Sequence, residues 1–299
     1  MIKISLIIPC YHDSLTIKRA IDSAYSQTRK IDEVIVVNDF SPESDAIENE
    51  LKNYTEIIYI KNGSNLGLAA SRNVGLFAAS GEIVTFLDAD DQLHPQKIEF
   101  QLGLMQPNVA VACLTENIYE GTNTSSFTPI NERLKVKLVV SNKKMLYRNT
   151  LVGASIMIYK QTLIKYGGYD ESLRSAEDYD LWLRLLDEGV VVYNIQLELY
   201  RYYRSNTGSL SNNMRNISYW ELEILKKHFQ RKGHKFLNST QDAFLWALWL
   251  GKHLYRFEKC NDEQFKIDTR NNIKLLHEHK ILQAILHIID ALRLLKLFT

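Results

Sequence analysis

The feature that most constrains this chain is the alternation within its first hundred residues. Short runs dense in β-branched residues, Ile2 to Ile8, Glu33 to Val37, Glu56 to Ile60 and Glu82 to Leu87, are separated by three other segments. In those segments, Leu15 to Gln27, Ser44 to Leu51 and Gly67 to Ala79, apolar residues recur at helical spacing. Strands that are apolar along their whole length are covered on both faces, and a helix between successive strands makes neighbours parallel. The expected fold is therefore α/β, a mostly parallel twisted sheet flanked by helices. Such sheets take their ligands beyond the carboxyl ends of the strands. Here those ends read Pro9-Cys10-Tyr11, Asn38-Asp39 and Asp88-Ala89-Asp90, three polar groups brought to one edge.

The remainder divides in two. Thr115 to Asn131 is rich in Thr, Ser, Asn and Gly and reads as a loop, Ser155 to Tyr159 as a strand, and Gln161 to Tyr166 and Asp178 to Leu186 as helices. From about Asn216 the pattern is helical, with Trp220 to Phe229, Gln241 to Phe257 and Asn272 to Leu297 as the candidates. This sets an α/β domain over 1–215 and a helical C-terminal extension over 216–299. With 36 Lys and Arg against 35 Asp and Glu the net charge is +1, so no global field favours nucleic acid. Cys10, Cys113 and Cys260 form no pair at metal-binding spacing, which suits a reducing, cytoplasmic compartment. The apolar run at the N-terminus is too short for a signal peptide, and no apolar stretch reaches the roughly 18–20 residues of a membrane-spanning helix.

The strand ends carry the chemistry. Asp88 and Asp90, one residue apart after a strand, can both reach a divalent cation; Mg²⁺ and Mn²⁺ take one or two carboxylates and complete their shell with phosphate oxygens and water. A solvated acidic turn is the plainer explanation of the pair alone. Asp39 can accept a hydrogen bond from a base or ribose, or simply initiate the turn before Ser41-Pro42. Arg72 stands near the start of a helix whose free N–H groups favour anions, or is a surface charge. Glu177 and Asp178 open another helix, as caps complementing its dipole or as a general base near a reacting centre.

Taken in order, Ile7 to Tyr11, Ala20 to Thr28, Val34 to Asp39, Asn65 to Asn73, Phe86 to Asp91 and Gly168 to Glu171 through Asp178 resemble the family 2 glycosyltransferases, over about residues 3 to 211. The resemblance implies a GT-A fold and inverting transfer of a hexosyl or N-acetylhexosaminyl group. The donor would be a nucleotide-diphosphate sugar, usually a UDP-sugar, and the acceptor a hydroxyl of a glycan or lipid-linked glycan in bacterial surface polysaccharide synthesis. It implies that Pro9, Tyr11 and Asp13 line the nucleobase pocket and that Asp39 binds the base. Arg72 is then near the diphosphate, Asp88 and Ala89 beside the ribose or sugar, and Asp90 with Asp88 on Mn²⁺ or Mg²⁺. Asp178 becomes the general base, with Glu177 beside it and Trp182 under the acceptor. The chain departs from the family at His12, where Asn is common, and in the segment after the last core strand, Tyr200 to Ser211, which lacks a His often found there. Arg201, Arg204, Ser209 and Ser211 offer an alternative there, as a lid over the diphosphate.

Three other readings compete. A nucleotidyltransferase would want a Gly-rich basic loop after the first strand, and Pro9 to Asp13 contains no glycine. An aspartyl phosphatase carries its nucleophile after the first strand rather than the fourth. A sugar-nucleotide-binding module without catalysis differs only in turnover. A dinucleotide fold fails for want of G-x-G-x-x-G. At the C-terminus, Gln283, His287 and Asp290 form a narrow polar stripe on an otherwise apolar helix from Ile281 to Leu292. Such a face must be covered, by the cytoplasmic membrane surface, by the Trp246 to Trp249 helix or by a second copy of the chain.

Overall fold

The computed structural model describes residues 2–119, 121–122, 124–131, 135–139, 145–146, 149–204, 214–232 and 263. The helices expected over 241–257 and 272–297 lie outside the described residues, as do Cys260, Ser209 and Ser211. The chain divides into two compact units, Met1–Asn142 with Thr150–Ser209, and Lys143–Asn149 with Leu210–Thr299.

In the first unit the sheet grows from β1 (Ile4–Cys10), all seven residues of which are buried. β2 (Glu33–Asn38) and β4 (Ile83–Phe86) flank it in parallel, and β3 (Ile57–Lys61) extends the sheet in parallel beyond β2. The connecting helices are α1 (Ile17–Tyr25), α2 (Ser44–Leu51) and α3 (Leu68–Ala78). They follow the sequence expectation closely, because each carries one apolar face at helical period and each strand is β-branched throughout. The other strands are β5 (Gln92–Leu93), β6 (Val109–Tyr119), β7 (Val136–Val139), β8 (Met157–Tyr159) and β9 (Val191–Arg204). Among the described residues the sheet has nine strands in the order β3-β2-β1-β4-β8-β6-β9-β5, with β7 also on β9. β8 runs antiparallel to both neighbours, β5 and β7 run antiparallel to β9, and the remaining pairs are parallel. This is the mixed α/β architecture of GT-A-type proteins. The helices α4 (Lys97–Leu102), α5 (Lys160–Lys165) and α6 (Glu177–Asp187) complete the unit. The second unit contributes α7 (Met214–Arg231), which starts before and ends after the expected Trp220 to Phe229.

Two expectations are corrected. Thr115 to Tyr119 is not loop but the second half of β6, and Tyr200 to Arg204 is not a segment beyond the last strand but the end of β9. The two stretches pair with each other in parallel, Thr115 opposite Tyr200 through Tyr119 opposite Arg204, after a register shift near Leu114. Each is polar by composition and gains a ladder from the other, Tyr200 and Arg201 also pairing with β5 on their other side. The first helix also begins two residues later than expected, at Ile17. Its N-cap is Thr16, and the carbonyl of Asp13 rather than a side chain takes the N–H groups of Thr16 and Ile17.

α3 lies against β1 and β2 at a distance that only glycine permits. A Cβ on Gly75 would fall 2.4 Å from Ile7 Cγ2 and 3.3 Å from Val37 Cγ2, both in the buried face of the sheet. Overpacking a close-packed core costs about 1–3 kcal/mol. Gly75→Ala is expected to lose about that much stability in denaturant unfolding. Gly63→Ala, whose Cβ would meet nothing within 4 Å, is expected to stay within about 0.5 kcal/mol of the parent.

Candidate functional site

The site begins where β1, β2 and β4 end. After β1 the chain turns through Tyr11, His12 and Asp13, and Asp13 Oδ2 accepts the backbone N–H of Tyr11 at 2.8 Å. Tyr11 is at the surface, whereas Pro9 is buried within β1 and offers a ligand no side-chain face. After β2, Asp39 is buried, and its carboxylate accepts three N–H groups: Asn62 Nδ2 and Leu66 N on Oδ1, Gly67 N on Oδ2, all at 2.8 Å. Its visible role is to shape the loop that delivers α3. Gly67 caps that helix with φ 93°, a backbone region glycine enters without strain.

Arg72 is where the structure departs most from expectation. Placed on α3, it is buried and not a free anion-binding head; its guanidinium pairs with Asp88 (Nη2 to Oδ1, 2.9 Å) and through Nη1 with Glu177 Oε1. It also lies 5.4 Å from the centre of the Tyr169 ring. Burial disfavours its charge, but the carboxylates of Asp88 and Glu177 outweigh that and hold it protonated even more firmly than a free arginine. One buried cation thus joins the end of β4 to the start of α6. Beside it Asn73 grips the turn before α6, accepting the Tyr169 N–H at 2.9 Å while donating to the Tyr169 carbonyl and Glu171 at 2.8 Å. Arg174 donates to the Leu66 carbonyl at 3.1 Å. Neighbouring residues of one helix and its loop therefore fasten the whole 169–177 segment.

α6 is entered through Ala176 at φ 57°, a left-handed conformation that costs a non-glycine residue roughly 1–2 kcal/mol. Glu177 and Asp178 follow at once. Asp178 is half-buried, close enough to Arg72 to contribute to its charge, and packed so tightly on Gly153 that a Cβ there would come 2.9 Å from Asp178 Cβ. Trp182, expected beneath an acceptor, is completely buried, so its ring supports the α6 core and presents no surface to one. Ala89 is buried in the turn.

Asp90 is exposed at the turn, although protein packs around much of its carboxyl. That desolvation, with the charges of Asp88 and Asp13, pushes its carboxyl up to about 7. Asp13 is raised too, first by burial and then by Asp88 and Glu43, partly offset by its bond from Tyr11. The strand ends therefore concentrate negative charge at one edge of the sheet. Among the described residues no three His, Cys, Asp or Glu side chains converge as a cage for a metal ion. Mg²⁺ or Mn²⁺ needs only one or two protein carboxylates when diphosphate and water supply the rest, and Asp90 with Asp88 is a donor set of that kind. Arg201 and Arg204, considered as lid residues, are instead tied into the sheet. Arg201 bonds Glu116 at 2.6 Å and covers the Phe127 ring at 3.7 Å, and Arg204 donates to Asn117 at 3.0 Å.

The Glycosyl transferase family 2 profile matches residues 5–169. The chain belongs to that family. Among its relatives is an uncharacterized glycosyltransferase of Methanocaldococcus jannaschii, 29% identical over 82% of this chain and 84% of the relative. Another is a UDP-Glc:alpha-D-GlcNAc-diphosphoundecaprenol beta-1,3-glucosyltransferase of Escherichia coli, 29% identical over 78% of this chain and 90% of that one. The solved structure of Staphylococcus aureus TarS 1-349 in complex with UDP-GlcNAc superposes with a TM-score of 0.57 at 19% identity, covering 83% of this chain and 80% of TarS 1-349. That likeness carries the fold. This family 2 glycosyltransferase also holds residues that sequence reading passed over: Arg19, Asn73, Tyr200 and Tyr203. Asp91 was visible as the third carboxylate of its run, while the tyrosines gave no local signal.

Two outcomes follow from this geometry. Arg72→Met leaves Glu177 and Asp88 without their cation and is expected to cost about 3–5 kcal/mol in denaturant unfolding, the range for a broken buried pair; adding Glu177→Leu should recover part of it. The second concerns pH. Because the folded carboxyl of Asp90 is raised to about 7, its contribution to stability is full below about pH 4. It is lost as pH rises from about 4, where the carboxyl of the unfolded chain ionises, through about 7. In EDTA, urea unfolding of the parent should show a shallow fall over that window, softened by the solvent that reaches Asp90. Asp90→Asn should make the fall smaller.

Proposed function

We propose that the chain is an inverting, metal-dependent glycosyltransferase that moves a sugar from a UDP-sugar to a hydroxyl of a lipid-linked glycan at the cytoplasmic face of a membrane. The observation that carries this reading is the Arg72 bridge, which joins Asp88 at the donor edge to Glu177, the neighbour of Asp178. The names of two relatives support the chemistry: one transfers from UDP-Glc to a diphosphoundecaprenol-linked sugar, and TarS was solved with UDP-GlcNAc. Among the described residues no helix is long and apolar enough to cross a membrane.

In this mechanism Asp39 accepts from the base, and Asp88 and Asp90 orient the diphosphate and sugar. A divalent cation held by Asp90 and Asp88 would neutralise charge on the departing nucleotide. Asp178 takes the proton of the acceptor hydroxyl as that oxygen attacks the anomeric carbon from the face opposite the leaving group. One displacement inverts the centre. The Arg72 guanidinium holds Glu177 and Asp88 in place through its two ion pairs, so the base is held at a set distance from the donor.

Asp178→Asn preserves size but cannot accept the proton. Turnover is expected to fall by about 10²-fold or more, the scale of general-base catalysis, with UDP affinity within a few-fold of the parent. Asp90→Ala should abolish transfer, as should EDTA with the parent, and added Mn²⁺ should restore only the parent. The assay is release of UDP from a panel of UDP-sugars with lipid-linked acceptor. Full activity in excess EDTA would remove the metal from the proposal. An Asp178→Asn variant as fast as the parent would remove the base.

A further inference from the structure

The turn Asp88 to Asp91 carries the two carboxylates on which the proposed function depends, and its backbone is not held by the turn alone. Asp91 N–H closes it on the Asp88 carbonyl at 3.0 Å. Beyond that, the turn is gripped from two elements remote in sequence. Tyr200, on β9, is completely buried; its hydroxyl lies 3.2 Å from the Asp88 N–H and 2.7 Å from Asp91 Oδ2. The direction of these bonds is forced, since a backbone N–H can only donate. The Tyr200 oxygen accepts from Asp88 and its own proton goes to Asp91. The second oxygen of Asp91 accepts the Tyr203 N–H at 2.8 Å, so this buried carboxylate is anchored to β9 through both oxygens. From α1, Arg19 donates to the Asp90 carbonyl and lies 3.6 Å over the Tyr203 ring. Both ends of the turn thus meet one phenol, and its middle meets one guanidinium.

We propose that Tyr200, acting with Asp91, is a positioning residue for the donor site: it sets the backbone of the Asp88–Asp90 turn without touching substrate. A fully buried hydroxyl can reach a ligand only through what it holds, and what it holds are the flanks of Ala89-Asp90. Among the described residues no other side chain hydrogen-bonds the Asp90 carboxylate, so its direction follows from the backbone beneath it. The inference rests on the functional reading above for what the turn binds, though not for what Tyr200 does to the turn.

The test pairs Y200F with Y203F. Each removes one phenol oxygen from the same strand, but the Tyr203 hydroxyl donates to Gln92 at 2.7 Å and leaves the turn alone. Hydrogen exchange on the ligand-free protein reads the backbone directly: exchange at Asp88 to Asp91 should quicken about tenfold in Y200F and stay at the parent rate in Y203F. Calorimetric binding of UDP with Mn²⁺ should weaken about tenfold in Y200F, on the scale of one hydrogen bond, and be unchanged in Y203F. D91N, which reaches the same turn from the other side, should behave as Y200F does and serves if Y200F does not fold. Unchanged exchange in Y200F and D91N, or an equal effect in Y203F, overturns the proposal. Failure of the functional reading looks different. There Asp90→Ala binds UDP with Mn²⁺ as the parent does, while the exchange result still stands.

Discussion

The arrangement of this protein depends on one buried positive charge. Arg72 sits inside the fold with two carboxylates against it, one at the end of β4 and one at the start of α6, elements far apart in sequence. A lone guanidinium there would be too costly to bury, and so would either carboxylate. Together they are stable only as a set, which is why the relative placement of the β4 end and the α6 start is discrete rather than adjustable. The surrounding clasps, Asn73 on the 169–171 turn and Arg174 on the Leu66 carbonyl, tie α3 and the loop before it to the segment that leads into α6. They limit how far the pieces could drift before the ion pairs break.

That rigidity explains how like charges coexist at the edge. Asp13, Asp88 and Asp90 repel one another, and the folded state holds at least two of them above the usual carboxylate range. Its own backbone N–H and the charge of Arg19 relieve Asp90 only in part, while Arg72 is paired with Asp88 and Glu177. The fold tolerates this because each carboxylate is fixed by a different strand or turn. Asp13 is tied to its own turn, Asp88 to Arg72, and the Asp90 backbone to Arg19. The unrelieved negative charge is what a cationic or hydrogen-donating ligand would meet.

Local pattern carried the first hundred residues. β-branched strands alternating with amphipathic helices need no distant partner to be recognised, and the Ser44 to Leu51 helix matches its expected span residue for residue. It failed where one polar segment makes another into a strand. Thr115 to Tyr119 reads as loop and Tyr200 to Arg204 as a segment after the last strand, and both become strand through their pairing, with β5 on the other side of Tyr200 and Arg201. Among the site residues, the carboxylates were legible because they cluster in sequence after strands. The partners that decide their behaviour were not, because Arg72 to Glu177 and Tyr200 to Asp91 span more than a hundred residues. The same blindness made Arg72 look like a surface charge and Trp182 like an acceptor platform.

Asp39 shows how a residue can serve the fold and still be ready for a ligand. A carboxylate has about four lone-pair positions. Three are taken by Asn62, Leu66 and Gly67, which fix the plane of the group and shape the entry to α3. The one that remains is on Oδ2, already oriented and already desolvated. An N–H on a nucleobase would meet it with little reorganisation, so recognition there needs a single well-aimed bond rather than a flexible side chain closing on its target. The loop-shaping bonds are therefore not a competing explanation for this aspartate. On the proposed function they are what would make its last lone pair selective, and the same logic would apply at Asp88, where Arg72 occupies one oxygen.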